Sequence, residues 1–258
     1  MADRRDSALE AMADRRDAAL DAAAQARATA GERVAEAREA AADAIAKVKP
    51  KLRGVTHEYA FFVSLLLGAG LILLAEGTKA TLAVGIYAAS LSALFGVSAL
   101  YHRVNWRPTA RRWMRRLDHT MIFFLIAGTV TPFAMLVLEP PLATALLVAV
   151  WAGAAAGTVV ELIWIDSPKW VSAAVYIAVG LIGAAGFPAI VVKAGIAAGA
   201  LIALGGVLYA AGAVIYASQR PDPSPRVFGY HEIFHVLVIA AAAAHFAAVA
   251  LFALPAAG

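Results

Sequence analysis

The sequence predicts an all-α, polytopic membrane protein: a bundle of seven transmembrane helices preceded by an Ala-rich N-terminal extension. Of its 258 residues, 62% are hydrophobic and only 16% are charged, whereas about a quarter of a typical soluble domain is charged. The charge is also concentrated, because residues 1–55 hold 11 of the 22 Lys and Arg and 10 of the 18 Asp and Glu. The rest of the chain is therefore apolar enough to lie in a membrane.

The N-terminal extension, residues 1–54, contains an internal repeat. The octapeptide ADRRDSAL at 2–9 recurs as ADRRDAAL at 13–20, an offset close to three helical turns. Its many alanines favour helix, but its large apolar side chains are few. We therefore expect a helical or disordered cytoplasmic extension, with a weak self-associating coil as the alternative. Pro50 and Gly54 mark its end.

The predicted membrane domain, residues 55–258, contains seven apolar segments. A membrane-spanning helix needs about 20 apolar residues, and charged or proline-containing connections separate the segments here. Between the third and the fourth, Pro140-Pro141 favours a turn, since neither proline can donate a backbone hydrogen bond. The predicted spans are about 59–75, 80–101, 118–138, 141–160, 170–190, 195–217 and 231–253.

The distribution of basic residues predicts the orientation of the bundle. With the N-terminus in the cytoplasm, thirteen Lys and Arg flank the inner ends of the spans, and only Lys79 and Lys193 flank the outer ends. Cytoplasmic loops of membrane proteins carry such an excess. We therefore expect a multi-pass protein of the cell (inner) membrane, with its N-terminus cytoplasmic and its C-terminus outside.

Composition also limits the chemistry. The chain has no cysteine, which excludes a disulfide, a thiolate metal site and a cysteine nucleophile. The net charge of +4 comes without an interleaved basic and aromatic patch, so no nucleic acid is expected as a partner. The expected partners are membrane lipids, including a possible lipid substrate, and the sequence leaves the oligomeric state open.

Polar side chains gather at one end of the predicted bundle. Ionisable groups at membrane depth are costly and are candidates for function. Because successive spans run in opposite directions, the end of the second span and the starts of the third and seventh share one depth, near the cytoplasmic face. The residues at that depth are Ser98, His102, Asp118, His119, His231, Glu232 and His235.

Three histidines of this group predict a metal site. His231 and His235 are four residues apart, which places both imidazoles on one face of a helix. His102, from a different helix, is the predicted third ligand. Catalytic zinc sites typically have three protein ligands, such as three histidines, and a water molecule in the fourth position. The zinc ion lowers the pKa of this bound water to about 7. Zinc is therefore the expected cofactor, with other divalent metals as the alternative, because histidine and carboxylate ligands suit several of them.

Two further residues receive predicted catalytic roles. Asp118 can hydrogen-bond the metal's water or act as its base, and Ser98 can orient the water or a substrate carbonyl. The alternatives are structural: the histidine pair as interhelical hydrogen bonding, Asp118 as a counter-ion of the preceding arginines, and Ser98 as a small packing residue. His119, which follows Asp118, is interpreted as structural, and His245 lies too far along its helix to share the ion.

The segment from His231 to His235 also spells H-E-x-x-H, the pattern of many zinc metalloproteases. Such a protease usually takes a further ligand from a downstream segment. No aspartate follows Asp222 in this chain, and Ala241 occupies the position of the third histidine of one soluble class. The pattern is therefore interpreted as a pair of metal ligands without protease chemistry.

Three motifs together resemble the bacterial hemolysin III family. They are SALYHR at 98–103, RRLDHTMIFFLIAGTVTPF at 115–133 and FGYHEIFHVLVI at 228–239. The family is the prokaryotic branch of the progestin and adipoQ receptor group and is similar to alkaline ceramidases. The resemblance covers about 55–253.

This resemblance implies a seven-helix fold, a cytoplasmic N-terminus and bound zinc. It places the zinc ligands at His102, His231 and His235, and the family's serine and aspartate at Ser98 and Asp118. The chain departs from the family pattern at Glu58, where a glycine usually follows Thr-His, and at Val130 in the Thr-Val-Thr-Pro segment. His57 begins the first span, near the predicted depth of the site, and the first departure leaves it without an implied role.

Three functions remain as hypotheses. The first is a zinc-dependent membrane hydrolase that cleaves a lipid amide or ester. The second is a non-enzymatic membrane sensor or regulator in which zinc is structural. The third is a pore-forming cytolysin, which the sequence supports least because the charged residues cluster at one end and do not line a path through the membrane.

Overall fold

The computed structural model describes residues 50–257 and two positions of the extension, Gln25 and Arg27, both helical and exposed. The predicted repeat and the helical or disordered character of residues 1–49 otherwise lie outside the described residues. Residues 50–258 form a compact unit. The predicted all-α, polytopic membrane fold is confirmed.

Eight α-helices make up this unit within the described residues. Six of them are long and apolar enough to cross a membrane, and α5 and α6, which meet at a bend of 44°, pass the same test as a seventh, broken span. The helices are α1 (Val55–Leu74), α2 (Gly77–Arg103), α3 (Pro108–Leu136), α4 (Leu142–Ile163), α5 (Lys169–Ala184), α6 (Phe187–Ala194), α7 (Ile196–Ser218) and α8 (Tyr230–Ala248). A π-helical turn, Val249–Ala253, extends α8.

The structure differs from the predicted spans in two places. Helix α3 begins at Pro108, ten residues before the predicted third span. Proline suits the first turn of a helix and arginine is a good helix former, so the arginine-rich segment joins the helix. The predicted fifth span is interrupted between Ala184 and Phe187, where Gly186 and Pro188 interrupt the hydrogen bonding of a continuous helix.

Short connections make consecutive helices antiparallel neighbours. Helix α2 packs against both α1 and α3, α3 packs against α4, and α7 packs against α8, which also contacts α1. The end of α2 and the starts of α1, α3 and α8 therefore lie at one end of the bundle, called the histidine end below. At the opposite end, a hydrogen bond from Lys193 and the charge of its ammonium lower the pKa of the exposed Glu139 carboxyl.

Small residues let neighbouring helices approach closely, and large apolar side chains both fill the core and cover the outer surface. A Cβ on Gly128 would lie 2.8 Å from the Ser90 Cβ, so the glycine allows α3 to approach α2 closely. Large side chains on the outer surface are as exposed as Leu73, at 84%. Such a surface is unfavourable in water and is typical of helices that face lipid.

The segment Pro50–Gly54, called the N-terminal strap below, fastens the start of α1 to the connection between α7 and α8. The backbone N–H groups of Lys51 and Leu52 donate to the carbonyls of Arg226 and Val227 at 3.1 and 3.2 Å. The strap ends at Gly54, whose φ of +79° is the left-handed conformation that favours glycine. A Cβ there would lie 2.6 Å from the His102 Cβ.

We expect Gly54→Ala to destabilise the protein more than Gly77→Ala does. Both glycines have a φ of +79°, which costs an L-residue about 1–2 kcal/mol. Only Gly54 also has a close neighbour, because nothing lies within 4 Å of a Cβ at Gly77. The added overlap should cost about a further 1–3 kcal/mol. Thermal unfolding of the detergent-solubilised variants measures this, and equal losses would contradict the packing argument.

Candidate metal centre

Three histidine side chains meet at the histidine end of the bundle. His102 comes from the last turn of α2, and His231 and His235 come from the first turns of α8. Each offers one imidazole nitrogen, and these nitrogens lie within 4.8 Å of one another. The Nε2 atoms of His102 and His231 are 3.2 Å apart. The structure therefore brings together the three predicted ligands, which are separated by up to 133 residues in the chain.

The start of α8 is fixed by two carboxylates. Glu232 accepts a hydrogen bond from the Gly229 backbone N–H at 2.8 Å, and Asp222 accepts one from the Tyr230 N–H at 3.0 Å. Both satisfy backbone donors that a helix N-terminus leaves without a partner in the helix. They fix the residue at which the helix begins and, with it, the face on which His231 and His235 lie.

Glu232 has a structural position and is not directed toward the histidines. Its carboxylate is only 1% exposed and forms an ion pair with Arg53 of the N-terminal strap. Its two carboxyl oxygens are engaged by Arg53 and by the Gly229 backbone N–H. In an H-E-x-x-H protease this glutamate acts as the general base beside the zinc. The geometry therefore agrees with the sequence argument against a protease.

The spacing of the imidazoles suits a tetrahedral metal ion. Two ligands held about 2.05 Å from such an ion lie roughly 3.3 Å apart, and the His102 and His231 nitrogens are 3.2 Å apart. The Nδ1 atom of His235 is buried and has no hydrogen-bond partner among the described residues. Buried polar atoms are nearly always paired. The group can therefore hold a divalent ion.

Asp118 lies beside the three histidines. It projects from the third turn of α3, and its Oδ2 is 3.6 Å from the His102 Nε2. Its side chain is 14% exposed. The carboxylate thus approaches the same nitrogen that faces His231, which places it next to the space that an ion would occupy.

Ser98 and His57 complete the polar lining on another side. The Ser98 Oγ and the His57 Nδ1 are 2.9 Å apart and form a buried hydrogen bond. The His57 ring stacks on the His235 ring with centroids 3.8 Å apart and planes within 6°. The sequence left His57 without a role, and the structure places it against a candidate ligand. In the sequence, only its position at the start of the first span indicated that His57 lies at the same depth as the site.

A small cavity separates these side chains. Its volume is about 40 Å³, enough for a few water molecules. Five of the polar residues discussed above line it, and the aromatic rings of Tyr176 and Tyr216 close its sides. The polar lining consists of His57, Ser98, Asp118, His231 and His235, together with His119.

A second buried polar cluster adjoins the cavity. The Oε2 atom of Glu161 is 3.2 Å from the His119 Nδ1, and its Oε1 accepts a hydrogen bond from the Tyr176 hydroxyl at 3.2 Å. Glu161 is 2% exposed. Glu161 was not among the predicted site residues. It nevertheless lies at the inner end of the predicted fourth span, at the same depth as the predicted metal ligands. His245 lies elsewhere, with its Nε2 3.1 Å from the Ile202 carbonyl.

The fold and the site together define a class: a multi-pass, all-α membrane protein with a buried three-histidine group at one end of its bundle. Comparison with known protein families identifies the family within this class. The family model described as "Haemolysin-III related" matches residues 45–246. The chain therefore belongs to the haemolysin III family, as its three motifs predicted.

Individual relatives agree with this membership. Hemolysin-3 of Bacillus cereus is 30% identical over 207 residues, which cover 78% of this chain and 90% of that protein. The Hemolysin-3 homolog of Bacillus subtilis (strain 168) is 30% identical over 161 residues, covering 62% of this chain and 72% of the relative. The human monocyte to macrophage differentiation factor is 29% identical over 200 residues, covering 75% and 80%.

We expect His102→Ala, His231→Ala and His235→Ala each to weaken metal binding. Losing a ligand should cost more than the roughly 10–100-fold that loss of an outer-shell partner costs. His245→Ala is the matched control, since it removes an imidazole from the same helix as His235 but outside the group. Elemental analysis of the purified variants measures metal per chain. Equal loss in the control, or no loss in His235→Ala, would contradict the assignment.

Proposed function

We propose that this chain is a zinc-dependent membrane hydrolase that cleaves an amide or ester bond in a lipid. The observation that carries the proposal is the arrangement around the candidate metal centre. Three imidazoles converge from two helices, and a carboxylate and a hydroxyl line the adjoining cavity. Zinc with three protein ligands supplies a Lewis acid that acidifies water and polarises a carbonyl.

The protein residues then have distinct tasks. His102, His231 and His235 hold the ion. Asp118, whose Oδ2 lies 3.6 Å from the His102 Nε2, accepts the proton of the attacking water and returns it to the leaving group. Ser98 orients the substrate carbonyl or the water through its hydroxyl, which His57 holds in place.

The same proposal places the site at the cytoplasmic face of the cell membrane. The arginines at 103–116 and Arg53 lie at the histidine end of the bundle, and the positive-inside rule assigns that end to the cytoplasm. The boundary between lipid headgroups and acyl chains then lies at the depth of the three histidines. This is the part of a lipid that contains an amide or ester bond.

The orientation is tested with single cysteines, since the chain has none. Asn105 follows α2 at the histidine end and Thr78 lies near the opposite end, and both are exposed. We expect a membrane-impermeant maleimide to label Thr78→Cys in intact cells, and Asn105→Cys only after permeabilisation. The reverse pattern would invert the topology, and labelling of both positions in intact cells would contradict the bundle's placement.

A second function, a membrane regulator with structural zinc, is favoured by one observation. The 3.6 Å between the Asp118 Oδ2 and the His102 Nε2 is close to the spacing of two ligands on one ion. Asp118 can thus be a fourth ligand instead of a base, which would close the site. The small volume of the cavity also fits a closed site. Structural zinc sites have four protein ligands, whereas catalytic sites keep one position open.

Asp118→Asn separates the two functions. If Asp118 is the base, the variant should keep its zinc and lose about 10²–10⁴-fold in kcat, which is the usual contribution of general base catalysis. If Asp118 is a ligand, the variant should lose zinc. The measurements are metal content and turnover of labelled ceramides and phospholipids by the reconstituted protein.

The matched control for this experiment is Asp166→Asn. It makes the same chemical change at an exposed carboxylate that pairs with Arg115 outside the site. It should leave both zinc and turnover unchanged. Absence of turnover by the zinc-loaded wild-type protein on every lipid tested would count against the hydrolase.

A further inference from the structure

A second, larger depression opens on the lipid-facing surface, between α4 and α5. Small residues of both helices line it: Gly153, Ala156 and Gly157 on α4, and Ala174 and Ala178 on α5. Its volume is about 710 Å³, many times that of the cavity beside the histidines. We call it the α4–α5 groove. Small residues allow two membrane helices to pack closely, as at Gly153, where a Cβ would lie 3.0 Å from the Ile182 Cδ1. Beside this contact, an apolar channel stays open.

The groove is bordered by tryptophans at the histidine end. Trp164 and Trp170 line it there and are 53% and 65% exposed. Tryptophan is enriched where a bilayer changes from acyl chains to headgroups. The two rings therefore indicate that the groove extends from the headgroup level into the hydrocarbon region.

Arginines of α3 lie at this same end. Arg116 donates from Nε to the Leu162 carbonyl at 3.1 Å, and Arg115 forms an ion pair with Asp166 at 3.0 Å. Both contacts are with the end of α4 and the connection that follows it, next to Trp164. The arginine side chains thus border the mouth of the groove.

Two of these arginines, Arg112 and Arg116, have N–H donors available to bind an anion. The segment 103–116 contains six arginines and no acidic residue. Arg112 is exposed and makes no hydrogen bond or ion pair with the described residues, and only the Nε of Arg116 is used in a hydrogen bond. The two are four residues apart, so they share one face of α3. Guanidinium groups bind phosphate through paired N–H donors.

We propose that the α4–α5 groove binds an anionic glycerophospholipid, with one acyl chain in the groove and the phosphate at Arg112 and Arg116. The apolar channel, the interfacial tryptophans and the N–H donors left on the Arg112 and Arg116 guanidinium groups match the acyl chain, the interfacial region and the phosphate of such a lipid. The inference rests on the proposed orientation only for the leaflet concerned, which would be the cytoplasmic one. It does not depend on hydrolase activity.

The floor of the groove is also a wall of the metal centre. Gly157 lies directly against the Phe123 ring, and Phe123 packs on Tyr176 with ring centroids 4.9 Å apart. Tyr176 lines the histidine cavity and hydrogen-bonds Glu161. A lipid held in the groove therefore rests against the aromatic layer that encloses the histidines.

The test is native mass spectrometry of the purified chain in detergent, with added phosphatidylglycerol or phosphatidylcholine of identical acyl chains. We expect one phosphatidylglycerol to be retained in preference to phosphatidylcholine. The double variant Arg112→Gln/Arg116→Gln should weaken this binding by at least about tenfold, given the usual contribution of each basic side chain near an anionic surface. Ala174→Phe, which fills the groove and keeps the arginines, should weaken it similarly.

Ala203→Phe is the matched control, because Ala203 is exposed on α7 and lies outside the groove. It should retain the lipid, and thermal unfolding of every variant in detergent checks its fold. Equal retention of phosphatidylcholine, full binding by Ala174→Phe or equal loss in the control would each overturn the proposal. So would a dimer that Ala174→Phe abolishes, since a second copy of the chain would then be the occupant.

Discussion

The candidate metal centre depends on two interactions of the buried Glu232 carboxylate: its ion pair with Arg53 and the hydrogen bond that it accepts from the Gly229 N–H. Burying a charge costs several kcal/mol unless it is paired and hydrogen-bonded, and Glu232 meets both conditions through Arg53 and the Gly229 N–H. Because it caps α8, it determines where the helix begins. Because it binds Arg53, it also joins α8 to the segment that precedes α1. The positions of His231 and His235 relative to His102 follow from these two contacts.

Much of the fold and the site could be predicted from the sequence, because two simple constraints apply to membrane helices. Alternating direction places the ends of α2 and the starts of α3 and α8 at one depth, and a spacing of four puts His231 and His235 on one face. Neither constraint says which face of a helix meets its neighbour. The pairing of His57 with Ser98 and its stacking on His235 therefore required the structure. The break between α5 and α6 was missed because hydropathy continues across Pro188.

Glu161 shows a second reason why part of the site could not be predicted from the sequence. Its position near the end of a long apolar run resembles that of an interfacial residue facing water, and the structure instead buries it between His119 and Tyr176. Around the histidine cavity several polar groups are paired: His57 with Ser98, and Glu161 with His119 and Tyr176. Elsewhere large apolar side chains fill the core and cover the outer surface, and small residues such as Gly128 let helices approach closely. The candidate site residues and close helix–helix contacts such as that at Gly128 therefore lie in different parts of the same helices.

The N-terminal strap sets a limit on how far the chain can be shortened from its beginning. Removing residues before Pro50 leaves intact the backbone hydrogen bonds of Lys51 and Leu52 to the connection between α7 and α8. Removing Arg53 as well would strip Glu232 of its cation inside the protein, an imbalance that typically costs about 3–5 kcal/mol. A truncation series would therefore show a sharp loss of folded protein between these two positions.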